Sequence, residues 1–468
     1  MSTAGLELSP PAAVGDLTYA QALAALEARG RYGIRLGLGR VRALLRAMGD
    51  PQLGVRGALV AGTNGKGSVI ALAGSALRAA GYRVGETPKP HLVTYRERIV
   101  VDGHPIEADA FTRLAAEVMP IADRVSRRLG PPTEFELLTA MMFRHFAASG
   151  LDLALVEVGL GGRLDATHAW DGGVAVITNV DLDHTDRLGT TIGAIAREKA
   201  AIVERRDLGV TGATGEALGV VRRRCARLRV PLTVAPPAPI LGWTRDVLTV
   251  DLPRLGPTAL GLRGRHQAAN VAVADALLDA LDAAGIARVS SDARRRGYLD
   301  ARWPGRLELL DVPDPRHAGT REVLLDGAHN PAGAAALATA LDDLRPYLAG
   351  GADRQPPPLI LVWSAMADKD VAGTIAAVAA SRALEGATVV CTSPGLPRAL
   401  SPAELVAAWS SAGVPGLTVR TAPHPDGALE LALGLPGGPI VVAGSLYLVG
   451  AIRARLVDDA ALRDPVAA

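Results

Sequence analysis

Apolar residues form short continuous runs in several places along the chain. GALVAG (57–62), LDLALVEVGLG (151–161) and GVAVITNV (173–180) are runs of this kind in the first half. A strand that is apolar on both faces is typical of a parallel sheet covered by helices on both sides. YRVGE (82–86) and ERIVVDG (97–103) predict further strands. The runs therefore indicate a mostly parallel sheet.

Longer segments between these runs have apolar residues three or four positions apart, which predicts helices. They cover residues 68–81, 108–130, 134–150 and 265–285, and two further helices near 18–48 are separated around Gly30–Gly37. Residues 57–81 thus read as strand, glycine turn and helix, which is the beginning of a nucleotide-binding α/β unit.

The second half repeats the alternation of strand and helix. We predict four strand-to-helix units, which start at residues 322, 358, 387 and 439, and a loop at DRQPPP (353–358). The rhythm changes at Pro304-Gly305, so we place a domain boundary near residue 300. The predicted fold is α/β, with a P-loop domain at 1–300 that has a mostly parallel sheet and a smaller Rossmann-like domain at 301–468.

Composition excludes several classes of protein. The chain has 468 residues, 49% of them hydrophobic and 21% charged, and a formal net charge of +2, which gives no basis for binding nucleic acid. Cys225 and Cys391 lack metal or redox spacing, which favours a reduced, cytoplasmic protein. No apolar run could cross a membrane, and MSTAGLELSPPAAVGD (1–16) lacks the features of a signal peptide.

Lysine is rare and unevenly placed in this sequence. Lys and Arg total 50, yet only Lys66, Lys89, Lys199 and Lys369 are lysines. A lysine amine can act as a compact charge or lose its proton, whereas arginine stays protonated. The four stand in GTNGKGS, PKPHL, AREKAAI and MADKD, which suggests chemical roles; chance placement is the alternative.

The glycine-rich segment GTNGKGS (62–68) follows a predicted strand and opens a predicted helix. In that context backbone N–H groups and the helix N-terminus bind phosphate, Lys66 supplies a charge and Ser68 can hold Mg²⁺. The spacing departs from the usual Walker motif, because Gly67 separates Lys66 from Ser68. The segment predicts a user of ATP or GTP, and a turn that binds nothing is the alternative.

Two further polar residues follow predicted strands. Glu157 stands at the end of an apolar run, and His184 follows the next run beside Asp181 and Asp183. Open α/β folds bind their ligands at the carboxyl ends of strands. Both residues are therefore candidate metal ligands; a structural glutamate and an ordinary polar histidine are the alternatives.

Eleven segments, in one order along residues 20–450, resemble the folylpolyglutamate synthase and dihydrofolate synthase family of the Mur ligase superfamily. Besides GTNGKGS they include HLVTYRERI (91–99), VEVGLGGRLDATH (156–168), GRHQAANVAVA (264–274), WPGRLEL (303–309) and LLDGAHNPAG (324–333). The resemblance implies an ATP-dependent ligase that joins L-glutamate to dihydropteroate or a reduced folate through an acyl phosphate. It further implies one or two Mg²⁺ ions and a monomer.

The resemblance also implies roles for particular residues. Catalytic roles fall to Lys66, Asp165, His184, Lys199 and His329. Contacts with ATP fall to Thr63, Asn64, Gly65, Lys66, Gly67, Ser68, Asn270, Arg306 and Asp326. Contacts with the other substrates fall to Leu36, Gly37, His91, Thr133, Phe135, Glu136, Gly161, Gly162, Arg163, Ser364 and Lys369. We add Lys89 to this group, although it departs from the family pattern. Metal ligation falls to Ser68, Glu157, His184 and Lys199.

In the family the lysine that matches Lys199 is carbamylated by CO₂, and this reaction needs an unprotonated amine. We therefore expect burial to lower the pKa of Lys199; an ordinary surface lysine is the alternative.

Two positions depart from the family pattern. Lys89 replaces a serine whose hydroxyl contributes to a metal site, so its ammonium either stands in for one cation near the phosphates or points to solvent. Arg35 stands where bifunctional bacterial members often have aspartate, which leaves the choice between dihydropteroate and folates open. Another Mur-type amino-acid ligase and a P-loop nucleotide hydrolase are the alternative functions.

Overall fold

The computed structural model describes residues 17–30, 33, 35–314, 319–348 and 357–465. The N-terminal segment 1–16 and residues 353–356 of the predicted loop lie outside them. The described residues form three sheets, of eight, three and six strands.

The eight-stranded sheet contains the predicted apolar runs. Its strands are β1 (Gly57–Ala61), β2 (Val84–Thr87), β3 (Val100–Val101), β4 (His104–Pro105), β5 (Leu153–Glu157), β6 (Gly173–Ile177), β7 (Leu208–Thr211) and β8 (Leu232–Val234), in the order β4-β3-β2-β5-β1-β6-β7-β8. All neighbours are parallel except β2/β3 and β3/β4. Every residue of β1 and β5 is buried. The predicted mostly parallel sheet is confirmed.

Helices cover both faces of this sheet. Successive residues of a strand point to opposite sides, so each strand contributes side chains to two cores. The helices of the first 300 residues are α1 (Tyr19–Gly30), α2 (Gly39–Ala47), α3 (Lys66–Ala79), α4 (Ala108–Leu129), α5 (Glu134–Ala148), α6 (Thr185–Leu188), α7 (Ile192–Ala200), α8 (Gly215–Leu228), α9 (Gln267–Ala283) and α10 (Ser291–Asp300). Side chains of α3, α9 and α10 form one core with Ala58 and Val60. Those of α1, α2, α4 and α5 form the other core with Leu59 and Ala61.

A small antiparallel sheet follows β8. It consists of β9 (Ile240–Trp243), β10 (Leu248–Leu252) and β11 (Gly256–Leu260), and its buried leucines and valine join the core around α3 and α9. Beside it, Arg265 on the approach to α9 forms ion pairs with Asp343 at 2.7 Å. The small sheet therefore lies where the two halves of the chain meet.

The second half forms the six-stranded sheet. Its strands are β12 (Glu308–Pro313), β13 (Thr320–Leu325), β14 (Ile360–Trp363), β15 (Thr388–Cys391), β16 (Thr418–Thr421) and β17 (Ile440–Ala443), in the order β12-β13-β17-β14-β15-β16. Its helices are α11 (Pro331–Leu344), α12 (Val371–Ala379), α13 (Pro402–Ser410), α14 (Pro425–Gly434) and α15 (Leu446–Leu456). Only β12, at one edge, runs antiparallel to its neighbour.

The prediction of four strand-to-helix units in this half was incomplete. The structure adds a fifth, β16 with α14, whose strand has the sequence TVRT and is largely exposed. An edge strand of this kind has no continuous apolar run to reveal it. The domain boundary near residue 300 stays a prediction; the end of α10 at Asp300 and the start of β12 at Glu308 favour it. No helix among the described residues is long and apolar enough to cross a membrane.

Candidate active site

The glycine-rich turn between β1 and α3 is held by side chains that follow β6. Asn64 N donates a hydrogen bond to Oδ1 of Asn179 at 2.8 Å, and Thr178 Oγ1 donates to Asn64 O at 2.6 Å. Gly65 has a φ of 80° and immediately precedes Lys66, the first residue of α3. The turn thus offers backbone N–H groups and a helix N-terminus to an anion.

Lys66 and Glu157 lie side by side at this turn. Lys66 Nζ donates to the main-chain oxygens of Gly62 and Thr63 at 3.1 and 3.2 Å, and lies 3.8 Å from Oε1 of Glu157. Glu157 is buried at the end of β5. Burial raises the pKa of Glu157, and the charges of Lys66 and Lys89 oppose the rise. The carboxylate is therefore at the sheet edge where the sequence predicted it.

Lys199, on α7, is only 5% exposed. Its Nζ donates to the main-chain oxygen of Gly62 at 2.8 Å, directly behind the phosphate-binding turn. Burial lowers its pKa to about 7. The expected burial and lowered pKa are confirmed, and the alternative of a surface lysine is wrong. An amine of this pKa is partly unprotonated at neutral pH, which is the form that adds CO₂.

His184 follows β6 on a loop that contacts the turn through Thr63 and Asp181. It directly precedes α6, its side chain is 42% exposed, and its Nε2 is 3.7 Å from Oδ2 of Asp183. Partial burial lowers the pKa of His184, so the ring is mostly neutral at pH 7 and can offer a lone pair.

The predicted metal set suits a Mg²⁺ ion that also binds phosphate oxygens, since Glu157 is its single carboxylate. Mg²⁺ takes oxygen ligands, and the set supplies a carboxylate from Glu157 and a hydroxyl from Ser68. No three His, Cys, Asp or Glu side chains in the described part of the chain are grouped to hold a metal ion. A carbamate on Lys199 would supply a second acidic group beside Gly62.

A cavity of about 370 Å³ joins these groups to residues of the second domain. The predicted residues on its walls are Thr63, Asn64, Gly65, Lys66, Gly67, Ser68, Lys89, Phe135, Glu157, His184, Arg306 and His329. Both domains therefore contribute to one cleft, as the sequence indicated.

Residues of the second domain reach this cleft from the strand ends. Asp326 follows β13, and its carboxylate accepts hydrogen bonds from the N–H groups of Leu307 and Ala328, both at 2.9 Å. His329 Nδ1 is 2.7 Å from the main-chain oxygen of Gly327, so Nδ1 carries the proton and Nε2 is free to accept one. Burial lowers the pKa of His329. Asp326 holds the loop that places Arg306 and His329.

A second cavity, of about 400 Å³, lies beside the first. Its predicted residues are Leu36, Gly37, Thr133, Phe135, Glu136, Asp165 and His184. Phe135, Gly159 and His184 line both cavities. The two spaces therefore meet along a shared wall.

Glu136 is buried at the start of α5, beside the second cavity. Its Oε2 accepts hydrogen bonds from Thr133 N at 2.8 Å and from Arg40 Nε at 3.0 Å. Its Oε1 is shielded from solvent and has no hydrogen-bond partner among the described residues. The buried carboxylate thus holds the start of α5 against Arg40 at the edge of the second cavity.

Asp165 has structural partners for both of its carboxylate oxygens. Oδ1 accepts from Thr167 N at 3.0 Å and from Thr167 Oγ1 at 2.6 Å, and Oδ2 accepts from Leu160 N at 2.8 Å. These bonds fix the loop after β5. The geometry favours a positioning role rather than the predicted catalytic one.

Several predicted substrate contacts line neither cavity. His91 accepts from Arg98 Nε at 2.8 Å and stacks on Tyr95, whereas Arg163 pairs with Glu198 at 2.9 Å on the surface. Gly161 and Gly162 lie close to α7. Ser364 is fully buried, and its Oγ has no partner among the described residues. Their predicted contacts with substrate are not supported by these positions.

Two other predicted residues lie next to the site without lining it. Asn270 Oδ1 would be 2.2 Å from a Cβ added at Gly65, so it touches the phosphate-binding turn from α9. The charge of Lys369 contributes to lowering the pKa of both His184 and His329, which places it at the cleft.

Three residues of the cleft were missed by the sequence analysis. Arg98 and Trp303 line the phosphate cavity, and Gln267 Nε2 donates to Ser68 Oγ at 3.4 Å. A Cβ added at Gly67 would lie 2.2 Å from the Trp303 ring. All three stand in the quoted segments HLVTYRERI, WPGRLEL and GRHQAANVAVA, so a signal was present, although it did not single out these side chains.

Two family models match the chain. The Mur ligase middle domain matches residues 60–214, and the Mur ligase glutamate ligase domain matches residues 305–446.

Curated relatives are similar over most of the chain. A dihydrofolate synthase/folylpolyglutamate synthase of Bacillus subtilis is 32% identical over 450 residues, which cover 94% of this chain and 99% of the relative. A protein of the same name from Mycobacterium tuberculosis is 35% identical over 463 residues, covering 89% of each.

Solved structures agree with these relatives. The M. tuberculosis folylpolyglutamate synthase complexed with ADP and AMPPCP has a TM-score of 0.80 at 32% identity, and covers 94% of this chain and 99% of its own. E. coli FolC in complex with DHPP and ADP has a TM-score of 0.77 at 29% identity, covering 95% and 99%.

Proposed function

The chain belongs to the dihydrofolate synthase and folylpolyglutamate synthase family of Mur ligases, and from this we propose that it is an ATP-dependent ligase that joins L-glutamate to folate-class carboxylates. One observation carries the proposal: a phosphate cavity and a second cavity share the wall formed by Phe135, Gly159 and His184. ATP in the first and an acceptor in the second would bring a γ-phosphate and a carboxylate together.

The residues of the phosphate cavity suit the first step. The N–H groups of the turn at Gly65, with Lys66 and Arg306, bind the phosphates and stabilise the charge of the transferring group. An oxygen of the acceptor carboxylate attacks the γ-phosphorus, and ADP leaves. ADP and AMPPCP in a relative's structure support the assignment of this cavity to nucleotide.

The second step forms the amide bond. The amine of L-glutamate attacks the acyl phosphate, phosphate leaves, and the amine loses a proton. His329 is placed to receive it, because Nε2 is the unprotonated nitrogen and the lowered pKa keeps the ring neutral. A cleft with walls from both domains limits the access of water to the acyl phosphate.

Magnesium belongs to this proposal through Ser68, Glu157, His184 and a carbamylated Lys199. These residues would hold one or two ions, which neutralise charge on the phosphates. Lys199 contributes because its amine is buried beside the turn and has a pKa of about 7.

The second cavity is assigned to the pterin part of the acceptor. DHPP in E. coli FolC and the double name of the B. subtilis relative support use of both dihydropteroate and reduced folates. Arg35 lines this cavity, and its effect on the choice of acceptor forms part of the proposal.

ADP release tests the function. We expect it to require L-glutamate together with dihydropteroate or tetrahydrofolate. ADP formed without either partner would identify a P-loop hydrolase instead. Dependence on a different acceptor would identify another Mur-type amino-acid ligase.

The proposal also covers the cellular compartment and the oligomeric state. Cys225 and Cys391 are buried free thiols, which suits the reducing cytoplasm. We further propose that the enzyme works as a monomer, since one chain supplies both walls of the cleft. Light scattering of the purified protein measures this directly.

A further inference from the structure

The side-chain ammonium of Lys89 lies at the junction of the two cavities. Lys89 stands on the loop after β2, and its Nζ turns inward, 2.5 Å from the main-chain oxygen of Glu157 and 4.6 Å from the centre of the Phe135 ring. Its own N–H donates to Oε2 of Glu157 at 3.1 Å. The alternative that Lys89 points to solvent is therefore wrong.

The ammonium of Lys89 keeps donors for a ligand. An ammonium has three N–H donors, and the main-chain oxygen of Glu157 accepts one of them. The nearby carboxylates are occupied: Asp165 accepts from its own loop, and Oε1 of Glu157 lies 3.8 Å from Lys66 Nζ. Among the described residues, Lys89 thus has no carboxylate as a close partner, although it lines the phosphate cavity.

The position of Phe135 shows where such a donor acts. Its ring lines both cavities, and the Lys89 ammonium lies over that ring. A carboxylate that reaches from the second cavity toward a γ-phosphate must cross this junction. A fixed positive charge in a partly desolvated place binds a carboxylate more strongly than the same charge in water.

We propose that Lys89 binds the acceptor carboxylate and aligns it for attack on the γ-phosphate. This inference rests on the proposed ligase function. The carboxylate oxygen forms a bond to phosphorus, the bond from phosphorus to the β–γ bridging oxygen breaks, and ADP carries that oxygen away. Lys89 keeps its proton throughout and holds the second carboxylate oxygen, so it is a catalytic residue of the first step.

Steady-state kinetics of Lys89→Met test this role. We expect the KM for dihydropteroate to rise about 10- to 100-fold, the effect of losing one charge-assisted hydrogen bond, while the KM for ATP stays within about twofold. Lys89→Arg should retain part of the affinity. Arg187→Met is the matched control, because Arg187 is exposed and pairs only with its neighbour Asp186 among the described residues.

Two further measurements separate a catalytic from a structural role. Added ethylamine should raise the activity of Lys89→Ala and should leave the activity of the wild type unchanged. The wild type should bind dihydropteroate more tightly than the same compound without its carboxyl group, and Lys89→Met should abolish that difference.

The outcomes are distinct. An unchanged KM for the acceptor in an active Lys89→Met enzyme overturns the inference and leaves the ligase function intact. An equal rise in both KM values assigns Lys89 to the phosphates and also overturns it. A wild type that neither binds nor uses dihydropteroate or tetrahydrofolate overturns the proposed function and this inference together.

Discussion

Replacing Gly297 with alanine should destabilise the first domain. Gly297 is buried on α10, where that helix crosses α3. An added Cβ would lie 2.3 Å from Cα and 2.4 Å from N of Ala76, and 2.7 Å from C of Ser75. All three atoms belong to the main chain of α3, so no side-chain rotation relieves the contact. The helices must separate by roughly 1 Å to reach ordinary carbon contact distance.

The magnitude combines two opposing effects. Overpacking of a core costs about 1–3 kcal/mol, and a contact with main chain belongs near the upper end. Alanine in place of glycine within a helix returns about 1 kcal/mol. We expect a net loss of about 2 kcal/mol in the free energy of unfolding, which lowers Tm by about 3 °C in a domain of roughly 300 residues.

Thermal unfolding followed by circular dichroism measures the change, with Gly219→Ala as the matched control. Gly219 lies on α8, and a Cβ there would meet only the Arg223 guanidinium, at 3.4 Å. This variant should be as stable as the wild type or slightly more stable. If Gly297→Ala had the same Tm as Gly219→Ala, the close crossing of α10 and α3 would not constrain the fold, and the reasoning would be refuted.

Three other variants test the site and the core. Lys199→Arg keeps a long basic side chain but cannot add CO₂, so it should lose at least about 100-fold in kcat. It should also lose the carbamate signal that ¹³C NMR in labelled bicarbonate should show for the wild type. Burial and Asp171 raise the pKa of Asp207 from an ordinary 3.8 to about 8. The contribution of the protonated Asp207 to the free energy of unfolding is thus complete below about pH 4 and is lost as the pH rises through 8. The slope of the wild-type free energy against pH is up to about 1.4 kcal/mol per pH unit in this range. Urea unfolding of Asp207→Asn should lack this slope. Arg294 pairs with buried Asp275 at 2.9 Å, so Arg294→Met should cost about 3–5 kcal/mol in the same assay by leaving that carboxylate unpaired; a loss below 1 kcal/mol would contradict it.

The succession of neighbouring segments along the sequence was enough to predict the central residues of the site. A strand, a glycine turn and a helix in succession located Lys66, and polar residues after continuous apolar runs located Glu157 and His184. These predictions depend on neighbours within a few residues and on the rule that parallel strands end at one edge. The burial of Lys199 followed from the chemistry that its resemblance implied.

Side chains on loops could not be placed in the same way. Whether Arg98 or His91 faces the cavity depends on the path of the loop after β2. That path is fixed from far along the chain: Thr94 Oγ1 donates to Oδ1 of Asp464 at 2.6 Å, across 370 residues. Trp303 contacts Gly67 although the two residues lie far apart along the chain. Such contacts leave no periodic signal.

All four lysines of the chain lie at or beside one cleft, although Lys and Arg total 50. An amine-directed acylating reagent would therefore meet, apart from the α-amino group, only lysines at or beside that cleft. Loss of activity should then follow the first acyl groups incorporated, and bound nucleotide should shield them. Because the other basic side chains are arginines, amine acylation should be confined to this cleft and the α-amino group.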